Sequence, residues 1–305
     1  MHIARPPSSR AGPRSGSPTQ EQLRTAIVAA LRRPRYEVTP MAGIGEQVAE
    51  YLPRHCTVTV TASPHRGLDA TLALTERLSG WGFRAVPHLA ARQVVDAAHL
   101  SEILCRLSDA DVREAFVIAG DLAVPAGAYE DSFALLRAMN ALGHGLERVG
   151  IAGYPDGHPF LSGATLTKAL SDKAPLSTYL VSQLCFDPAV ISAWIGQVRR
   201  LGVRLPIHVG IAGALDRRRL LRIATRIGVG QSARFLRKHR APMMRLALPG
   251  GYRPDRLIRA LAADLAAPER RVDGLHVYTL NDIRATEQWR HQALGRCGSS
   301  REAIA

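Results

Sequence analysis

Eight short apolar runs recur along the chain at intervals that a helix can fill, and this spacing constrains the fold most. The runs are rich in Val, Ile and Thr, and the segments between them carry apolar residues at helical spacing. This alternation is typical of parallel strands joined by helices, and a closed (β/α)8 barrel needs eight such units. The runs are Tyr36–Thr39, Thr57–Ala62, Arg84–Leu89, Ala115–Asp121, Val149–Tyr154, Thr178–Phe186, Pro206–Ala212 and Leu275–Leu280. The sequence therefore predicts an α/β protein built as one TIM barrel.

The barrel accounts for most of the 305 residues, of which 46% are hydrophobic. Residues 1–20 are rich in Pro, Ser, Gly and Arg and contain no acidic residue, so we predict a disordered basic tail there. An organelle leader is the alternative interpretation of that segment. The barrel domain is expected over 21–292, and a flexible C-terminal tail over 293–305.

Helical periodicity predicts the connecting segments. The expected helices are Gln20–Leu31, Gly67–Leu78 with Gly80 as its C-cap, Asp131–Leu142, Pro188–Leu201 and Asp216–Ile227. The stretch from Gly213 to Gly274 is too long for one crossover, so extra helices are expected before the last strand, including Pro254–Leu265.

The formal net charge of +14 requires comparison with the classes of protein that are usually basic. Few aromatic residues are available to stack on bases, and no helix-turn-helix or zinc-finger signature is present, so a nucleic-acid partner is disfavoured. The basic segment comprises Arg217, Arg218, Arg219, Arg222, Arg226, Arg234, Arg237, Lys238, His239 and Arg240. A solvated basic face is the commoner interpretation, and it would also attract small anions such as dinucleotides or oligoglutamyl conjugates.

Location and redox state follow from what the sequence lacks. No apolar run approaches the roughly 18 residues of a membrane span, and the N-terminus has no apolar signal core, so a cytoplasmic protein is expected. The four cysteines are widely spaced, which indicates neither a disulfide framework nor a zinc knuckle.

Seven of the eight runs carry a polar residue capable of chemistry. In (β/α)8 barrels the active site lies where the strands end, so the pattern points to an enzyme. The candidates are Glu37, Thr61, His88, Asp121, Tyr154, Gln183 and Tyr278.

Three motifs around these residues resemble the methylenetetrahydrofolate reductase family. They are a YP-x-x-HP element from Tyr154, an SQ-x-x-FD element from Ser182 and YTLN from Tyr278. The segments YEVTP, TVTVTASP, AVPHLAAR, VIAGDLAVP and HVGIAG agree in order and spacing, and the resemblance spans about Arg35 to Arg290.

The resemblance implies reduction of 5,10-methylenetetrahydrofolate to 5-methyltetrahydrofolate. Glu37 matches the family's general acid, Asp121 the aspartate that stabilises positive charge, and Gln183 the glutamine that hydrogen-bonds the pterin. Phe186 and Tyr278 are expected at the folate as well. The residues expected at the cofactor are Thr61, His88, Tyr154 and His158.

Each residue also has a structural interpretation. Glu37 could pair with a neighbouring arginine at the barrel floor. His88 and His158 could be core histidines, or could bind a metal with Asp121, although no His-x-His pair ends the first strand, so no metal is expected. Gln183 could satisfy buried backbone groups, and Tyr278 could pack in the barrel.

The chain departs from the family where most members hold flavin adenine dinucleotide. The family's Arg-Gly-Asp is Ala119-Gly120-Asp121 here, and Ala62 stands where an aromatic is usual. The segment after the YP-x-x-HP element keeps only Lys168 and Lys173 as cations for the diphosphate.

Flavin binding is therefore doubtful, and we expect NADH to donate its hydride directly. NADPH remains possible because no G-x-G-x-x-G motif in the right context separates the two nucleotides. Reduction through bound FAD is one alternative, and a folate-binding barrel without catalysis is another.

Overall fold

The computed structural model describes residues 18–63, 65–158, 160–214 and 252–299. Within them, eight parallel strands close into a barrel in chain order, and each predicted run forms one strand. The predicted (β/α)8 fold is therefore confirmed. The strands β1 to β8 are Arg35–Val38, Thr57–Val60, Arg84–Ala90, Glu114–Ile118, Arg148–Gly153, Tyr179–Ser182, Ile207–Ala212 and Val272–Tyr278.

The helices surround the barrel, and side chains of Thr, Asp or Ser cap several of their N-termini. Thr19, for example, forms a capping box with Gln22 at the start of the first helix. Helices α1 to α7 are Gln20–Arg32, Ile44–Tyr51, Gly67–Gly80, Ala97–Asp109, Ser132–Leu142, Gly163–Lys173 and Pro188–Arg200. Helices α8 to α10 are Asp255–Ala260, Ala262–Ala266 and Ile283–Ser299.

Two of the predicted helices differ from the structure by more than one residue. Gly80 lies inside α3, and the left-handed glycine that follows this helix is Gly82, with a φ of 82°. The predicted helix Pro254–Leu265 is divided into α8 and α9 at Leu261. The predicted helix Asp216–Ile227 and the basic segment from Arg217 to Arg240 lie outside the described residues.

The C-terminal tail predicted from residue 293 is wrong as far as residue 299, because α10 continues through Ser299. Its inner side explains the extension: Trp289 and Ala293 are buried in the core, and Leu294 packs against it. Within the described ranges, no helix is both long and apolar enough to cross a membrane.

Side chains alternate between the two sides of the barrel wall, as the period of a strand requires. On β1, Tyr36 and Val38 join the apolar core between strands and helices. Arg35 and Glu37 contact residues of other strands across the inside of the barrel. A small apolar cluster of Val86, Phe116, Tyr179 and Val181 fills part of that interior. The barrel interior is therefore a mixture of apolar and ionisable groups.

Candidate active site at the barrel mouth

The mouth is formed by the C-terminal ends of the strands and the loops that follow them. The structure brings Glu37, His88 and Tyr278 together on one side of it. Asp121, Tyr154 and His158 form a second group, while Thr61, Gln183 and Phe186 make separate local contacts. Tyr278 links the two groups, because the charges of both Glu37 and Tyr154 act on it.

Glu37 lies between two imidazoles. Its Oε2 atom is 2.9 Å from Nε2 of His276 and 3.6 Å from Nε2 of His88. Burial raises the pKa of Glu37 to about 7, and the charge on His88, when present, opposes that shift. The Glu37 side chain is 14% exposed. Its Oε1 atom makes no hydrogen bond to any described residue. A carboxyl in this setting holds a proton near neutral pH and has one oxygen available.

The alternative interpretation is an ion pair between Glu37 and a neighbouring arginine at the barrel floor. For Arg35 this interpretation is wrong. The Arg35 guanidinium donates to Oε1 of Glu114 at 2.6 Å and to the Tyr179 hydroxyl at 3.1 Å. Arg32 and Arg33 are exposed to solvent. The carboxyl group of Glu37 is therefore surrounded by neutral partners.

The two histidines beside Glu37 are uncharged at neutral pH. Burial, more than any other factor, lowers the pKa of His88 to about 4 and that of His276 to about 3. His88 also packs its ring against Phe116, with centroids 4.8 Å apart. The cofactor contact predicted for His88 is untested, but its Nε2 atom is directed at the acid.

Sequence reasoning missed His276. It lies two residues before Tyr278 on β8 and therefore shares the inner side of that strand. The strand pairing sets Arg35 beside His276 and Glu37 beside Tyr278. The alternation along β8 could have identified His276 as an interior residue, although not its contact with Glu37.

The hydroxyl group of Tyr278 is hydrogen-bonded within the protein. The O–H group donates to the backbone carbonyl of Ser182 at 3.1 Å, and the ring lies 4.9 Å from the His276 ring. Burial, followed by the charge of Glu37, raises the pKa of Tyr278 well above its usual value. This tyrosine therefore stays protonated and helps to enclose the Glu37 carboxyl group.

Asp121 is exposed on the loop after β4. Gly120 before it has a φ of 88°, and an added Cβ would lie 2.9 Å from Cβ of Ala90, so the turn requires glycine. Asp121 lies close enough to Tyr154 and His158 to affect both: it adds to the burial that raises the pKa of Tyr154 and opposes the burial that lowers the pKa of His158. The Tyr154 and His158 rings meet edge to face with centroids 5.2 Å apart.

Gln183 is exposed at the end of β6. Its backbone N–H donates to the carbonyl of Gly153 at 2.7 Å, and its Oε1 accepts from the N–H of Leu184 at 2.8 Å. The Nε2 amide makes no hydrogen bond to any described residue. Half of the Gln183 amide is thus used locally, and the other half is free to meet a ligand.

Phe186 and Thr61 each contact residues other than Glu37. The Phe186 ring meets Tyr252 edge to face with centroids 5.3 Å apart. Thr61 joins its neighbours: its N–H donates to Val38 at 2.9 Å, and its carbonyl accepts from the Thr71 hydroxyl at 2.9 Å. Both residues support the mouth in this arrangement.

The two lysines expected at a flavin diphosphate have other partners within the protein, and so does an arginine at the mouth. Lys168 pairs with Asp172 at 2.7 Å, and Lys173 is buried with its Nζ 3.4 Å from the Ser132 hydroxyl. Arg92, on the loop after β3, donates to the backbone carbonyls of Leu122, Ala123 and Glu130. The described residues of these segments therefore fit a flavin diphosphate poorly.

Comparison with known proteins identifies related sequences and folds. The model of the methylenetetrahydrofolate reductase family matches residues 37–293. An uncharacterized protein from Clostridium thermocellum that binds two copies of 5-methyl-5,6,7,8-tetrahydrofolic acid is 11% identical, with a TM-score of 0.58 over 90% of this chain and 99% of that one. A dihydropteroate synthase from Thermus thermophilus is 15% identical, with a TM-score of 0.43 over 90% of this chain and 96% of that one.

Proposed function

The chain belongs to the methylenetetrahydrofolate reductase family, and we propose that it reduces 5,10-methylenetetrahydrofolate to 5-methyltetrahydrofolate with NAD(P)H, without a flavin. The observation that carries this proposal is the buried Glu37 carboxyl at the mouth, whose pKa is raised to about 7. A general acid works best when its pKa lies near the working pH, because it then both holds and releases its proton.

Glu37 opens the five-membered ring of the folate. The O–H bond of its carboxyl breaks as an N–H bond forms at N10, and the bond from N10 to the methylene carbon breaks. The electron pair of the O–H bond stays on the carboxylate, and the folate becomes a 5-iminium cation. A hydride from the reduced nicotinamide then reaches the exocyclic carbon, giving the 5-methyl group and oxidised nucleotide.

Asp121 stabilises the iminium cation in this proposal. An ionised carboxylate beside a developing positive charge lowers the barrier when the bound substrate has displaced water. The free Nε2 amide of Gln183 donates to the pterin edge from the end of β6. Tyr154 and His158, which lie side by side near Asp121, are the positions proposed for contact with the nicotinamide.

The flavin-free route is favoured by the engaged cations. Lys168, Lys173 and Arg92 each contact other protein groups, which leaves little to neutralise a diphosphate in those segments. An activated iminium accepts two electrons as a hydride and needs no intermediate carrier. We propose NADH as the donor, with NADPH as the alternative.

A visible spectrum followed by an assay tests this function. We expect purified protein to show no flavin peak near ~450 nm and to oxidise NADH when methylenetetrahydrofolate is supplied. The assay is repeated with added FAD and without folate as controls. Activity that requires FAD would indicate the flavin route, and folate binding without NADH or NADPH oxidation would indicate a binding protein instead.

A further inference from the structure

The imidazole of His276 is the group closest to the Glu37 carboxyl, and it is buried inside the barrel. His276 is 1% exposed, and its Nε2 is 2.9 Å from Oε2 of Glu37. Its second nitrogen, Nδ1, is buried and has no hydrogen-bond partner among the described residues. The ring therefore makes its one assigned hydrogen bond to the acid.

The tautomer of His276 determines which carboxyl oxygen can carry the proton. We assign the ring proton to Nε2, because an N–H group on the buried and unpartnered Nδ1 would have no acceptor. A neutral imidazole with its proton on Nε2 donates to Oε2, so Oε2 acts as the acceptor and the carboxyl proton resides on Oε1. The same Nε2–H bond remains in place after the proton has left, when the whole carboxyl group is negative. A single tautomer of His276 thus serves the acid before and after proton transfer.

The surroundings of His276 keep it neutral. Arg35 on β1 repels a positive imidazole and acts in the same direction as burial, while Glu114 on β4 acts in the opposite direction. His88 on β3, His208 on β7 and Tyr278 on its own strand are the other titratable groups that face this region. If His276 had the higher pKa, its neutral ring would take the carboxyl proton and become the cation, and Glu37 would have no proton left to donate.

We propose that His276 is a positioning residue that holds Oε2 of Glu37 through its Nε2–H group and thereby presents the acidic proton on Oε1 to the substrate. The inference rests on the proposed function for its catalytic meaning, but the hydrogen bond and its effect on Glu37 exist without substrate. Nε2 of His88 lies 3.6 Å from the same oxygen, beyond hydrogen-bond distance, so His276 is the imidazole that holds the carboxyl group.

The test measures the titration of Glu37 itself in the full-length protein without folate or nucleotide. Side-chain carboxyl carbons of glutamate are labelled with 13C and followed by NMR over pH, with Glu37→Gln used to assign the signal. His276→Gln keeps an amide N–H near the position of Nε2, whereas His276→Asn reaches only the position of Nδ1. The two variants are alike in polarity and differ in whether they can reach Oε2.

We expect Glu37 to titrate near its wild-type value of about 7 in His276→Gln. In His276→Asn the midpoint should rise to about 8 or above, because the carboxylate loses a hydrogen-bond donor. His208→Asn is the matched control, since His208 is also buried in the barrel but lies beside Arg148 rather than Glu37. It should leave the Glu37 midpoint in place.

Turnover is the second measurement. His276→Asn should lower kcat by about tenfold or more while the folate KM changes little, and His276→Gln should recover most of the loss. A Glu37 midpoint that is the same in His276→Asn, His276→Gln and wild type overturns the positioning role, whether or not the protein reduces folate. A shifted midpoint in a protein with no reductase activity keeps the hydrogen bond and overturns the proposed function. Should His276→Asn not fold, the 15N signals of the His276 ring in the wild type decide, with His276→Gln used to assign them. A proton on Nε2 supports the positioning role, and a proton on Nδ1 overturns it.

Discussion

Two glutamates inside the barrel differ in the charge of their surroundings. Glu114 lies at the floor, the N-terminal ends of the strands, where Arg35 contacts it at 2.6 Å and Arg148 at 3.8 Å. Both guanidinium groups also stack on the Tyr179 ring. Glu37 lies two residues after Arg35 on β1, but its neighbours are neutral imidazoles. The floor carboxyl has cationic partners, and the mouth carboxyl has none within the described residues.

The difference separates a structural carboxylate from a reactive one. Glu114 is held in place by ion pairs with two guanidinium groups. Burial without a cation favours the protonated form of Glu37. The Arg35–Glu114 pair also engages the arginine that precedes Glu37 by two positions on β1.

The largest expected effect is on stability, at the floor. Glu114→Gln leaves buried Arg35 without its carboxylate, and we expect a loss of about 3–5 kcal/mol in the free energy of unfolding. Glu37→Gln should cost little at pH 8, because wild-type Glu37 there carries a poorly compensated charge. Denaturant titration of both variants measures the contrast, and equal losses would show that the two carboxylates are alike.

The pH dependence of the same measurement has a defined sign. The pKa of Glu37 rises from 4.5 to about 7 on folding, so the folded state binds more protons than the unfolded state between these values. This group therefore lowers stability as pH rises from about 4.5 to about 7. Glu37→Gln should remove that contribution, which is visible as a smaller loss of stability over this window.

The second largest effect is on turnover, at the mouth. Glu37→Gln removes the proposed proton donor, and we expect turnover to fall by roughly 100-fold or more while folate still binds. In the wild type, kcat/KM should decrease by about tenfold per pH unit above the pKa of Glu37. The variant should lack this decrease. Near-normal turnover in Glu37→Gln would move the acid to another residue, with Asp121 the first candidate.

The sequence was sufficient for the barrel because apolar runs and their spacing are local signals. Each of the eight runs forms a strand, and the polar residues that follow them lie at the mouth or just inside it. The contact between Glu37 and His276 is not local, since 239 positions separate the two residues. It depends on how β1 and β8 pair when the barrel closes, which no single run reveals.

The sequence also could not show which polar side-chain atoms are already hydrogen-bonded within the protein. The Tyr278 hydroxyl is occupied by the Ser182 carbonyl, and Oε1 of Gln183 by the Leu184 N–H. Both residues were predicted at the folate from the family motifs alone. Backbone groups at strand ends need partners, and nearby polar side chains supply them as readily as they bind a ligand. Atom-by-atom contacts are needed to separate these uses.

The smallest predicted effect is at Gln183, and it tests whether this side chain binds the pterin or only accepts from the Leu184 N–H. Its Nε2 amide is free to donate to the pterin, so Gln183→Ala should leave a pterin group unpaired and weaken folate binding by about 1–3 kcal/mol. The apparent KM for folate should then rise several-fold more than the KM for NADH. A small change in the KM for NADH is expected because the nicotinamide must lie against the pterin. Gln197→Ala, on the exposed side of α7, is the matched control and should change neither constant. Both constants are measured by steady-state NADH oxidation on variants whose unfolding free energy equals that of the wild type. An unchanged folate constant would show that Gln183 serves only the Leu184 N–H and that the pterin lies elsewhere in the mouth.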